Sequence, residues 1–271
     1  MKSSKVINVK RFLDFESLWI FILPSLVLLG LFVLPLIALI LRSANPHAVE
    51  DAFSEQALQA LTLSLVTSLI TVVIAAAFGT PLAYILSRLK STHKTWLEAL
   101  LDLPIVLPPS VAGLALLLAF GRNGLLGSQL ELAGIHLPFT SAAVIVAQTF
   151  VAAPLFVRSA RVGFSHVDRE VVEAARVEGA NQWQLFTEIM VPLAGRALAS
   201  GAMITWMRAL GEFGATILFA GNLQGVTQTM PMAIYLGFES NLGVAMVLSV
   251  MLIIISILVL AATKRLENHT Y

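Results

Sequence analysis

Arg208 and Glu212 stand four residues apart inside the apolar run from Ala197 to Ala220. That spacing puts a guanidinium and a carboxylate on one helix face, where they can pair. Ionisable groups inside an apolar span are costly and face protein or water. Two readings follow: the pair lines or braces a path for a solute, or it ties its helix to a neighbour. A lone Glu212 on an anion path would repel the anion unless Arg208 offset it. Ser200, Thr205 and Thr216 carry hydroxyls that can hydrogen-bond a passing oxyanion, although a single membrane hydroxyl more often packs against a neighbouring helix. Asp102 reads as a structural hydrogen-bonding group at the end of its span. Acid–base or metal chemistry has less support. His47, His93, His136, His166 and His269 all fall between the apolar runs, and there is no cysteine. His-Glu-x-x-His, Gly-x-Ser-x-Gly and phosphate-loop patterns are absent. The residues therefore argue against an enzyme and against a cofactor bound by this chain.

The elements that hold these residues are set by an unusual composition. Of 271 residues, 58% are hydrophobic and 12% charged, against about 45–50% and about 25% in soluble domains. That leaves too few charges for a water-facing surface, so lipid is the expected solvent. The net charge of +1 gives no signal for nucleic acid. A helix crosses the hydrocarbon with about 20 apolar residues. Six runs qualify: Leu18 to Leu41, Leu58 to Ser87, Trp96 to Phe120, Ala142 to Val162, Ala197 to Ala220 and Leu242 to Ala262. The first is too long for a signal peptide. The third contains Pro104, Pro108 and Pro109, which break a helix and free carbonyls for neighbours or cavity water; that suits a pore wall, with a plain kink as the equal alternative. Pro108 and Ser110 at this break join Thr205, Arg208, Glu212 and Thr216 as candidates for a translocation path. Gly121 to Ser141 reads as loop, and one membrane domain over 1–271 is the simplest organisation.

Basic residues collect on cytoplasmic ends. Lys2, Lys5, Lys10 and Arg11 precede the first run. Arg88, Lys90 and Lys94 follow the second, Arg158, Arg161, Arg169, Arg176 and Arg196 surround the fourth connection, and Lys264 and Arg265 follow the sixth. Only Arg42, Arg122 and Arg208 lie elsewhere, and Gly221 to Asn241 has no Lys or Arg. This pattern predicts both termini in the cytoplasm and places the connection 163–196 there too.

Within that connection, Asp168 to Met190 reads as helix, turn, helix. Asp168 can cap the first helix and Asn181 the second, while Gly179 permits a left-handed helix end. Pro192 ends or redirects the second helix before the fifth run. Small residues at Ala174, Ala175, Gly179 and Ala180 allow close approach of another surface, and Trp183 and Phe186 are candidate anchors for it. A compact helical pair lying on the membrane is the alternative.

Glu173-Ala174-Ala175, Gly179, Ile189 and Val191-Pro192 come in an order and spacing that resemble the EAA loop of ABC importer permeases. Val191 is a conservative departure from that loop's usual ending. Leu103-Pro104-Ile105-Val106-Leu107-Pro108-Pro109, the glycine-rich stretch Gly121 to Gly127, and Arg208 to Thr216 are similar to the molybdate and sulfate permeases. Thr229-Met230-Pro231-Met232 extends the likeness. The resemblance implies an all-α integral membrane protein of the bacterial inner membrane, with the type I importer permease fold and six transmembrane helices. It implies that Glu173, Ala174, Ala175, Gly179, Trp183, Ile189 and Pro192 form the element that docks the ATPase. It also implies two cytoplasmic ATPase subunits holding ATP and Mg, an extracytoplasmic substrate-binding protein and a second permease copy. Molybdate or tungstate is the expected cargo, with sulfate or thiosulfate as the alternative. A secondary transporter without an ATPase is the rival class, and it would often carry an inverted repeat, which the sequence does not display.

Overall fold

The computed structural model describes residues 15–44, 48–89 and 92–268. Lys2, Lys5, Lys10, Arg11, His47, Lys90 and His269 lie outside the described residues, as do the side chains of His93, Lys264 and Arg265. All regular structure among the described residues is helical. The chain forms two compact units, Met1–Pro46 and His47–Tyr271. The first holds one helix, α1 (Phe15–Ser43), with Pro24 and Pro35 inside it.

The second unit begins with the short α2 (Ala48–Ala52) and is built on α3 (Glu55–Arg88), started by Ser54, whose hydroxyl accepts from Ala57 N at 3.3 Å. Thirty-four residues make α3 about 51 Å long. Apart from Leu86 near its end, its buried face is made of small residues, four of them hydroxylic: Ala57, Ala60, Ser64, Thr67, Ser68, Thr71, Ala75, Gly79 and Ala83. Small faces let membrane helices approach closely, and α7 (Ser141–Ser165) does so here. A Cβ at Gly79 would lie 2.8 Å from the Phe156 ring. The hydroxyls of this face are used between helices. Thr71 donates to Gln148 Oε1 at 3.2 Å, and Trp206 Nε1 donates to Ser68 Oγ at 2.9 Å. Met230 N donates to Ser64 Oγ at 2.7 Å.

Two of the apolar runs are not single helices. The third divides into α4 (Thr92–Val106) and α5 (Pro109–Phe120), bent by 112°. Pro109 suits the first turn of α5, where its missing N–H costs nothing, and Pro108 is the residue before it. The fifth divides into α11 (Gly195–Leu210) and α12 (Gly214–Ala220). The two breaks meet: a Cβ on Gly214 would come within 2.5 Å of the Pro109 Cβ, and one on Gly113 within 2.7 Å of the Ala215 carbonyl. The stretch expected as plain loop contains a short helix, α6 (Gly127–Leu132), and a further helix, α13 (Met230–Ser240), precedes α14 (Leu242–Asn268). Among the described residues, α1, α3, α7 and α14 are each long and apolar enough to cross a membrane alone. Counting each bent pair as one span, α4 with α5 and 182–193 with α11, raises the number to six.

Candidate functional site

The connection between α7 and α11 is built by local chemistry. Asp168 Oδ1 accepts from Glu170 N at 3.1 Å and starts α8 (Arg169–Val177). At the other end Gly179 takes φ +94. Its N–H bonds the Arg176 carbonyl at 3.1 Å, and the Ala180 N–H bonds the Ala175 carbonyl at 3.0 Å. This double bond pattern closes a helix only when the residue past its end is left-handed. Asn181 then opens α9 (Gln182–Gln184) with a reciprocal cap: its Oδ1 accepts from Trp183 N and Gln184 N, and Gln184 Oε1 accepts from Asn181 N. All three terminators, Asp168, Gly179 and Asn181, act where their residue types place them.

After α9 the helix widens. Leu185–Met190 is a π turn rather than the α-helix that the sequence predicts. Pro192 follows inside the three-residue α10 (Val191–Leu193), and the chain redirects just after it, with a 71° bend into α11. Leu185 and Met190 are buried, and Phe186 packs at a tilt against Tyr84 at 5.0 Å and Phe164 at 6.4 Å between ring centres. Arg88 covers the Tyr84 ring at 5.3 Å and reaches Met190 Sδ at 3.5 Å. The aromatic pair expected to anchor a partner thus divides: Phe186 packs against the end of α3 and α7, while Trp183 is 71% exposed.

The outer face of the connection carries Glu173, Ala174, Gly179, Trp183 and Pro192, with Val171 and Val177 beside them. Ala175 and Ile189 pack inward with buried Val172. Glu173 Oε1 accepts from Arg169 Nε at 2.7 Å. An exposed pair of this kind contributes at most ~1 kcal/mol, so it leaves the carboxylate free to exchange partners.

The membrane ion pair is formed. Arg208 Nη1 lies 2.6 Å from Glu212 Oε2, and Glu212 is 1% exposed. The other oxygen, Oε1, accepts from Ala215 N at 2.9 Å. Glu212 therefore sits at the break between α11 and α12 and satisfies an orphan N–H at the positive end of α12. Both carboxylate oxygens are occupied within the chain, which favours a structural ion pair over a place on the path. Of the other path candidates, Pro108 and Ser110 flank Pro109, which packs on Gly214 two residues after Glu212. Thr205 is buried and donates to the Ala152 carbonyl at 3.4 Å. Thr216 is buried with an unpartnered hydroxyl. Pro108 and Ser110 are exposed at the break before α5. Asp102 borders a small charged cleft with Glu98, Arg158 and Arg161, where Arg161 pairs with Glu98 and fastens α4 to α7. Among the described residues, no group of His, Cys, Asp and Glu is arranged to hold a metal.

Sequence reasoning missed the polar seam of α3, because Ser64, Thr67, Ser68 and Thr71 sit in an otherwise apolar run. Their spacing at one helical face was the available signal.

A family of binding-protein-dependent transport system inner membrane components matches residues 79–269. The probable transport system permease protein NifC of Clostridium pasteurianum is 38% identical over 234 residues, covering 86% of this chain and 82% of that protein. The molybdenum transport system permease protein ModB of Escherichia coli K12 is 37% identical over 217 residues, covering 78% and 95%. ModB of Mycobacterium tuberculosis is 38% identical over 243 residues, covering 89% and 91%. Among solved structures, a bacterial ABC transporter that imports the acidic polysaccharide alginate matches with a TM-score of 0.77 at 18% identity, covering 95% of this chain and 98% of that one. The MetNI methionine ABC transporter matches with a TM-score of 0.63 at 18% identity, covering 81% and 100%. At these identities the two structures speak for the fold alone. A family match across 79–269, relatives aligned over most of their length and the permease fold converge: this chain belongs to the binding-protein-dependent transport system inner membrane components.

Proposed function

We propose that this chain is the permease subunit of an ATP-driven importer that carries molybdate or tungstate into the cytoplasm. The observation that carries the cargo is the identity of 37–38% with molybdenum transport permeases over most of both chains. Two copies pair around a central path. Both termini and the connection 163–196 face the cytoplasm, as the distribution of Lys and Arg requires, and six spans cross the membrane. Each copy offers the outer face of α8 and α9 to one ATPase subunit, which holds ATP and Mg. An extracytoplasmic binding protein delivers the anion.

The geometry supports a coupling role for this face. It is apolar at Ala174, Val177 and Trp183, and caps fix the starts of both helices. Through Phe186 and Met190 it is packed onto the ends of α3 and α7. A pull on this face therefore moves the spans rather than bending a loop. The chain hydrolyses nothing itself.

Uptake of labelled molybdate by the assembled transporter tests the cargo. Excess tungstate is expected to abolish uptake and equal sulfate to leave most of it. Competition by sulfate and not by tungstate would reassign the chain to sulfate or thiosulfate import. Uptake that persists without any ATPase subunit would favour a secondary transporter.

A further inference from the structure

Both oxygens of the Glu212 carboxylate have found partners within the chain, on Arg208 and on α12. Two neutral donors just before α13 have not. Gln228 is 2% exposed and its side-chain Nε2 has no partner. Its Oε1 accepts from Gln56 Nε2 at 3.1 Å, so α3 fixes which way the amide turns. Thr229 is 1% exposed and its hydroxyl is likewise unpartnered. It holds the cap position of α13, where a threonine commonly accepts a first-turn N–H, yet it makes no such bond. Ser64 takes the Met230 N–H instead, and Pro231 has none to offer. Two buried donors without acceptors, on consecutive residues at one helix start, call for an explanation.

Their surroundings suit an anion that must be released again. α13 contributes the partial positive charge of its N-terminus. Gly221 to Asn241 contains no Lys or Arg, so this segment itself adds no fixed cation that would trap a divalent oxyanion. Passage requires binding strong enough to admit a solute and weak enough to let it leave. The segment that precedes the donors is bonded to itself. The Leu223 carbonyl accepts from the N–H groups of Val226, Thr227 and Gln228, and Thr227 Oγ1 accepts from Leu223 N. Gly225 takes φ +73, the conformation that lets this turn close, and Gly221 at φ +72 ends α12 just before it.

We propose that Gln228 Nε2 and Thr229 Oγ1 form a transient subsite for a tetrahedral oxyanion at the start of α13, covered in the conformation described here and opened during transport. Gln56 acts as a positioning residue for the amide. The proposal rests on the permease reading above.

The test uses the assembled transporter in proteoliposomes and compares Gln228→Leu, Thr229→Val and Thr229→Ser. Readouts are the initial rate of labelled molybdate uptake below saturation and the thermal unfolding midpoint. Losing a hydrogen bond to a charged ligand predicts a fall of about tenfold or more for Gln228→Leu and for Thr229→Val. The unfolding midpoint of Thr229→Val stays unchanged or rises, because an apolar isostere removes an unpartnered polar group, whereas Gln228→Leu also removes the acceptor of Gln56 Nε2. Thr229→Ser keeps its uptake. Wild-type uptake in both apolar variants would overturn the subsite and leave these donors to a structural water. If Gln228→Leu lowers stability, the Val and Ser variants at 229 decide, and equal uptake by those two overturns it. A wild-type transporter that moves no molybdate, tungstate or sulfate would bring down the permease reading itself and the subsite with it.

Discussion

Gly179→Val is expected to abolish ATP-driven uptake and to release the ATPase during purification. Gly179 has φ +94, and a Cβ placed there meets nothing within 4 Å. Steric collision is therefore not the cause of the effect. The cause is backbone: a β-branched residue held left-handed costs of order 1–3 kcal/mol. The chain avoids that cost by giving up the paired bonds to the Arg176 and Ala175 carbonyls. Once they open, α8 and α9 lose their fixed relation and the outer face is no longer one surface. Gly179→Asn, which tolerates the left-handed region, is expected to retain most uptake and most bound ATPase. Normal uptake and normal ATPase recovery with Gly179→Val would sink the docking role of this connection.

The second large effect concerns Arg208 and Glu212. Arg208→Leu leaves the Glu212 carboxylate buried with only the Ala215 N–H. Removing one partner of a buried pair costs about 3–5 kcal/mol, and the lower end, about 3 kcal/mol, applies because Arg208 is 34% exposed. The double variant Arg208→Leu with Glu212→Leu is expected to recover most of that loss, since apolar residues replace a buried pair at little cost. What it does not recover is the cap on α12, worth about 1 kcal/mol. Thermal unfolding in detergent measures both variants, and molybdate uptake separates the two roles. A structural ion pair predicts a less stable single variant and a double variant that still transports. A double variant that is stable and assembled yet transports nothing would instead put the charges on the path.

The parts of this molecule that the sequence revealed are those whose determinants are local. Asp168, Gly179 and Asn181 terminate helices through their own side chains or backbone freedom, so the order of α8 and α9 could be read residue by residue. The break at Pro108 and Pro109 was legible for the same reason, although its sharpness was not. The break at Gly211 to Phe213 carries no proline. It depends on Glu212 bonding both Arg208 and Ala215 N and on Gly214 nestling against Pro109. Such a determinant is tertiary and does not show in a hydropathy run. The helix α13 did carry a start signal, Thr229 followed by Pro231, but its short apolar length gave no span. The π turn at Leu185–Met190 left no mark in residue types at all. Trp183 and Phe186 looked alike as interface anchors until packing gave Phe186 to Tyr84 and Phe164.

The central claim is that the face of α8 and α9 meets the ATPase, and the absence of cysteine from the chain makes it directly measurable. Val177→Cys, at a position 88% exposed on α8, and Val226→Cys, exposed in the turn before α13, are each cross-linked in the assembled transporter. An adduct with the ATPase subunit from Val177→Cys and none from Val226→Cys is the expected result. No ATPase adduct from Val177→Cys, or one from Val226→Cys in its place, would contradict it.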